Sequence, residues 1–153
     1  MAKILLKVST DKVRARLREF DELAMSGAEE GIGAALLQLK HDSIMERPTA
    51  PIDEGFLRGS ASIFVQNKEV EQPEIPGEKT DFKLRTFSMS LEDSKIIGVL
   101  GFNVPYAARW HEVPANFQEP SAGNKYVETK MVLNRKIYKE IVINRIKKSL
   151  GII

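Results

Sequence analysis

A chain of 153 residues has the material for one compact core and little for a second. Hydrophobic residues at 42%, charged residues at 29% and a formal net charge of +2 are ordinary for a globular protein and too balanced to specify an anionic partner. The absence of cysteine excludes disulfides, thiolate metal sites and cysteine nucleophiles, which fits assembly in a reducing compartment such as the cytoplasm.

The opening run Lys3 to Val8 is apolar enough for a first strand. It is too short, with Lys7 interrupting it, for a signal segment, and no stretch of the chain approaches a membrane span. Ser9 and Thr10 carry the hydroxyls that cap helices. Val13, Leu17, Phe20 and Ala24 then share a helical face, with Arg14, Arg16, Arg18 and Glu19 elsewhere, so an amphipathic helix is predicted. Gly27 punctuates it, and Ser26 with Glu29 has capping-box spacing, so a second helix is expected with Ile32, Leu36 and Leu39 inward, closed by Arg47-Pro48.

From Ser60 to Val65 the pattern alternates with period two, which predicts a strand. Asn67 to Asp81 is rich in Glu and Pro and poor in apolar residues, so it reads as a long mobile β-loop. Phe82 to Leu91 and Lys95 to Phe102 read as an antiparallel hairpin around Glu92-Asp93. The second of these is apolar on both faces, which suggests a central strand. A helix from about Lys125 to Leu150 contains no Gly or Pro. The whole predicts a single α+β domain over 1–153: an antiparallel sheet packed by two N-terminal helices and one long C-terminal helix, with a loop insertion at 67–81.

Catalysis needs a convergent nucleophile, base and charge stabiliser, and the chain's two histidines, His41 and His111, offer little. His41 reads as a solvated helix residue. His111-Glu112 lacks a His-Glu-x-x-His pattern and a third ligand, so no metal site is expected, and no glycine-rich phosphate loop occurs. Lys130, Arg135, Lys136, Lys139, Arg145, Lys147 and Lys148 make the last helix basic, but they spread around it without interleaved aromatics, which argues against a nucleic-acid groove. On the same helix Val127, Met131, Tyr138, Ile141 and Val142 form a face expected to pack on the sheet. Val132, Ile143, Ile146 and Leu150 lie off that face and are read either as a subunit interface or as the edge of a wide core stripe.

Three ordered stretches resemble the tailed-phage minor capsid and tail-completion family. The run APIDEGFLRGS, Ala50 to Ser60, is similar to that family's APVDTGxLRxS, with Pro51, Asp53, Gly55, Leu57 and Arg58 in its pattern. Here Asp53 is expected to cap a short helical turn, Gly55 to relieve crowding, Leu57 to anchor inward and Arg58 to leave for solvent or a partner. The run GFNVPYAARWHE, Gly101 to Glu112, resembles the family's strand end, Tyr-Ala step and closing His-Glu, through Tyr106, His111 and Glu112. The run GNKYVE, Gly123 to Glu128, resembles the start of its final helix, through Gly123, Lys125, Tyr126 and Glu128. Glu54 stands where the family usually has Thr, and Trp110 where an aliphatic residue is more usual.

The resemblance covers roughly Thr10 to Leu150. It implies a non-enzymatic virion protein without cofactor, assembled in the host cytoplasm into a homo-oligomeric ring, expected to be a hexamer, at the neck or tail terminus. Such a ring would meet the head connector or stopper on one face and the tail tube on the other, with DNA only passing through. The 67–81 loop is the expected arm to a neighbour. The alternatives are a DNA-associated phage protein using the basic last helix and a minor capsid protein of the head. Glu112 is expected near the start of the final helix or paired with Lys125.

Overall fold

The computed structural model describes residues 10–52, 55–72, 87–90 and 96–153, the stretch 87–90 by its backbone alone. The expected first strand at Lys3 to Val8, most of the 67–81 loop, Asp53 and the start of the hairpin's first strand lie outside those residues.

Helix α1 runs without a break over Thr10–Met45. Two helices divided at Gly27 were expected, and the reason for one is tertiary. A β-carbon built at Gly27 would lie 2.7 Å from the Ser149 Cβ and 2.9 Å from the Ile146 Cα, and one at Gly31 would lie 2.8 Å from the Val142 Cα. These glycines let a second helix approach α1 to backbone contact, which offsets their propensity cost of about 1 kcal/mol each.

After α1 come the single turn α2 (Phe56–Gly59) and strands β1 (Ala61–Val65), β2 (Lys68–Glu71), β3 (Phe87–Ser90) and β4 (Ile97–Phe102). The sheet is antiparallel throughout, in the order β2-β1-β4-β3. The apolar strand β4 is therefore central, as its two-sided composition predicts, and β3 and β4 pair as the expected hairpin. One boundary differs. The loop expected from Asn67 begins with strand β2, because Gln66 and Asn67 both take positive φ (51° and 61°) and make a two-residue turn of the type that suits strand twist. Lys68, Glu69 and Val70 are exposed on this edge strand.

Helix α3 (Ala107–Glu112) follows β4, and the chain ends with α4 (Glu128–Leu133) and α5 (Arg135–Ser149). The single final helix expected from Lys125 therefore starts later and breaks at Asn134, whose φ and ψ are −98° and 13°. Its inward residues also pack elsewhere than expected: α5 lies along α1 and not on the sheet. The C-terminal half of α1 is thus the middle layer. Ile32, Leu36 and Leu39 join Ile63, Leu100 and Phe102 of the sheet in the same buried cluster as Val127, Tyr138 and Val142. No helix among the described residues is long and apolar enough to cross a membrane.

Candidate functional site

The three motif-bearing stretches are far apart in sequence and meet at one end of the sheet. Past α1 the chain turns back, with the Ala50 N–H donating to the Ser43 carbonyl (2.8 Å), and Pro51 is buried. Gly55 takes φ 81° to enter α2, and Leu57 points into the core, only 1% exposed. Arg58, expected to leave for solvent or a partner, turns back onto its own chain. Its Nε donates to the Ala50 carbonyl (2.7 Å), and its Nη2 reaches the Thr49 hydroxyl (3.3 Å) and Glu119 Oε2 (2.9 Å). The Ser121 hydroxyl donates to Glu119 at 2.7 Å and is the foremost cause, with the Arg58 charge, of a Glu119 carboxyl held below the usual carboxylate range. Thr49 and Gly123 exchange further backbone bonds with this loop: Thr49 N to Ser121 O at 2.9 Å and Gly123 N to Thr49 O at 3.1 Å. Arg58 is therefore a clamp between the first motif and the loop that leads into the third.

The second and third motifs are joined by charge. Lys125 Nζ lies 2.7 Å from Glu112 Oε2 and 2.8 Å from Glu128 Oε2, which is the Glu112–Lys125 pairing expected from sequence. The other Glu112 oxygen is 2.8 Å from His111 Nδ1. Lys125 adopts φ 57°, a costly conformation for a residue with a side chain, and its own N–H bonds the His111 carbonyl (2.8 Å). Tyr126 is buried edge-on against His111 (ring centroids 5.0 Å apart) and Phe102 (5.7 Å), and burial pushes its phenol well above its ordinary range. Tyr106 precedes α3, and Gly123 faces Pro48 closely enough that a β-carbon would sit 2.8 Å from the proline Cβ.

The fold also supplies what sequence spacing did not show beside His111-Glu112, a third donor. Donor atoms of His111, Glu112 and Glu128 lie within 4.8 Å of one another. The Lys125 ammonium already lies against both carboxylates, the place a bound cation would take. The arrangement as it stands is an ionic staple between α3 and the start of α4.

A second polar cluster was not read from sequence. Asp42, buried on α1, accepts the Tyr138 hydroxyl (2.7 Å), the Gln38 amide (2.7 Å) and the Asn134 amide (3.2 Å). Asn134 also donates to Glu46 (3.1 Å), so the helix break is tied to the end of α1. Lys130, counted among the basic residues of the last helix, is only 1% exposed and donates to the Pro48 carbonyl (3.1 Å). Burial holds its ammonium below the usual lysine range, against the opposing pull of Glu46 and Asp42. The available signals were an Asn inside a helical run, one of two there with Asn144, and an Asp four residues after Gln38, and both are common on solvated helices.

Of the residues proposed for a subunit interface, Val132 (70%) and Ile143 (37%) are exposed. Ile146 and Leu150 are half-buried, and Ile146 packs on the core beside Gly27. His41 is exposed, as its reading as a solvated residue expects. An open cleft of about 240 Å³ lies beside the Arg58 clamp, lined by Pro51, Leu57, Tyr106, Trp110, Phe117 and Glu119 among others. Its lining is mainly apolar, and its carboxylate is already engaged by Arg58 and Ser121. Such a surface suits docking of side chains better than acid–base chemistry. Comparison with family models, with curated proteins and with solved structures yields no match to this chain.

Proposed function

We propose that this chain is a structural subunit of a tailed-phage particle, a neck or tail-completion protein that acts by assembling into a ring, expected to be a hexamer, between head connector and tail tube. One observation carries the reading. The three stretches that resemble the family converge on one end of the fold, where Arg58, Glu119, Glu112 and Lys125 hold them together. Segments that hold one another in register present a defined rim, and a ring subunit needs defined surfaces more than it needs a reactive group.

The test is localisation. Antibody labelling or cryo-electron microscopy of intact particles is expected to place the protein at the head–tail junction, and its absence from purified particles would refute the proposal. Arg135, Lys136, Lys139, Arg145, Lys147 and Lys148 are all exposed on α5, which favours DNA association as a second reading. Retention on DNA that weakens steeply with salt would support it.

A further inference from the structure

The seam by which α1 receives α5 runs on past the end of α5. Along it Val13, Leu17, Phe20, Ala24, Gly27 and Gly31 recur at alternating spacings of four and three, the repeat of a helix-pairing stripe. α5 covers the last part antiparallel to α1, with Val142 beside Gly31, Ile146 beside Gly27, and the Ser149 hydroxyl bonded to the Leu23 carbonyl at 2.6 Å. There α5 is stopped by a paired C-terminal motif: Gly151 has φ 67°, the Gly151 N–H bonds Lys148 O (3.0 Å) and the Ile152 N–H bonds Lys147 O (2.9 Å). Beyond that stop every residue from Thr10 to Glu22 is exposed, with Val13 at 49%, Leu17 at 59% and Phe20 at 52%. Among the described residues nothing covers this end of the seam.

We propose that the occupant is the same segment of a second copy of this chain, lying parallel to it. Charge decides the direction. Numbered along the stripe, Leu17 takes the a position and Phe20 the d position, which places Arg14 and Asp21 at e and Arg16 at g. In a parallel pair the g residue of one helix meets the following e residue of the other, so Arg16 faces the Asp21 of the second copy, twice by symmetry. An antiparallel pair must stay clear of both α5 helices, which confines it to Thr10–Glu22 of each copy. That register sets Arg14 against Arg14 and Arg16 against Arg16.

Past Leu23 the two α1 helices diverge around their own α5 helices, so the contact is short. Thirteen helical residues span about 20 Å. A single helix-on-helix contact of that length buries less than the roughly 1,200 Å² of a stable dimer, so it operates within a larger assembly. Because the same face is used by both copies, two-fold symmetry closes this contact on a pair, so it joins subunits two at a time and leaves closure of a ring to other surfaces.

The cysteine-free chain permits a direct test by single-cysteine trapping of the full-length protein under mild copper–phenanthroline oxidation. Val13→Cys and Leu17→Cys are each expected to give disulfide-linked dimer about tenfold above the outward-facing control Ala15→Cys. Arg16→Asp should abolish that excess in the Leu17→Cys background, and adding Asp21→Arg should restore it. A mixed Val13→Cys with Leu17→Cys dimer without either homotypic one would show an antiparallel pair. Crosslinking no greater than that of the control would show that the stripe serves another occupant. Either result overturns the proposal. Crosslinking in a protein that is absent from phage particles would refute the particle reading alone.

Discussion

Two buried tyrosines separate the contribution of a hydroxyl from that of a ring. Tyr138 donates at 2.7 Å to Asp42, whereas the Tyr126 hydroxyl reaches the Ala107 carbonyl only at 3.5 Å, the outer limit of a hydrogen bond. Tyr138→Phe is therefore expected to cost about 1–2 kcal/mol in denaturant unfolding at neutral pH, because it takes a donor from a buried carboxylate. Tyr126→Phe should be nearly neutral. The same residues set the alkaline limit. Burial raises both phenols above their ordinary value of about 10, so above that pH the unfolded chain releases protons that the native chain retains. Their stabilising contribution is complete below pH ~10 and lost as pH rises further. Lys130 acts in the opposite sense: its lowered pKa means the unfolded chain binds the extra proton below about 10.5, so stability rises with pH as that value is approached. Urea midpoints measured from pH 8 to 11 are expected to fall above about 10, and Tyr126→Phe should make the fall shallower.

At the scale of elements the glycines of α1 make the sharpest prediction. Gly31→Ala on an isolated helix would gain about 1 kcal/mol. Here the new methyl would meet the Val142 Cα at 2.8 Å, a backbone atom that can yield only if α5 moves away. The substitution is expected to destabilise by about 1–3 kcal/mol, read as a lower denaturation midpoint. The β1–β2 turn predicts the reverse sign. Asn67→Gly places the residue best suited to positive φ in a turn that already has it, and should stabilise by about 0.5 kcal/mol.

These elements also show how much of the fold was legible. Strands β1, β3 and β4 were readable because residue alternation and turn residues are local properties, and the apolar composition of β4 stated its central place. The Glu112–Lys125 pair was legible because a recognisable motif order set both ends of it. What misled was punctuation. Gly27 is written like a helix stop and is a helix contact, and that difference exists only once α5 is in place. Gln66-Asn67 lacks the Asn-Gly signature of its turn type, so β2 was hidden in polar sequence. The Arg58 clamp and the Asp42 cluster depend on partners sixty or more residues away, Glu119 and Tyr138 among them, and no local pattern encodes them.

At the scale of the whole molecule, α1 joins two regimes. From Gly27 onward it is the middle layer of the protein, between sheet and α5, and before Leu23 it stands in solvent. A helical stretch as short as Thr10–Glu22 is marginal in water when nothing packs on it, since most helical stability in proteins comes from tertiary burial. The two halves of this one helix should therefore have different lifetimes. In hydrogen–deuterium exchange on the dispersed protein, amides of residues 10–22 are expected to exchange through local fraying, while those of residues 28–44 wait for global unfolding. Slow exchange throughout α1 in a dilute monomer would mean that the exposed half is held by something other than its neighbours. Protection that appears only as copies gather would make the tip of α1 a reporter of assembly, readable residue by residue without a label.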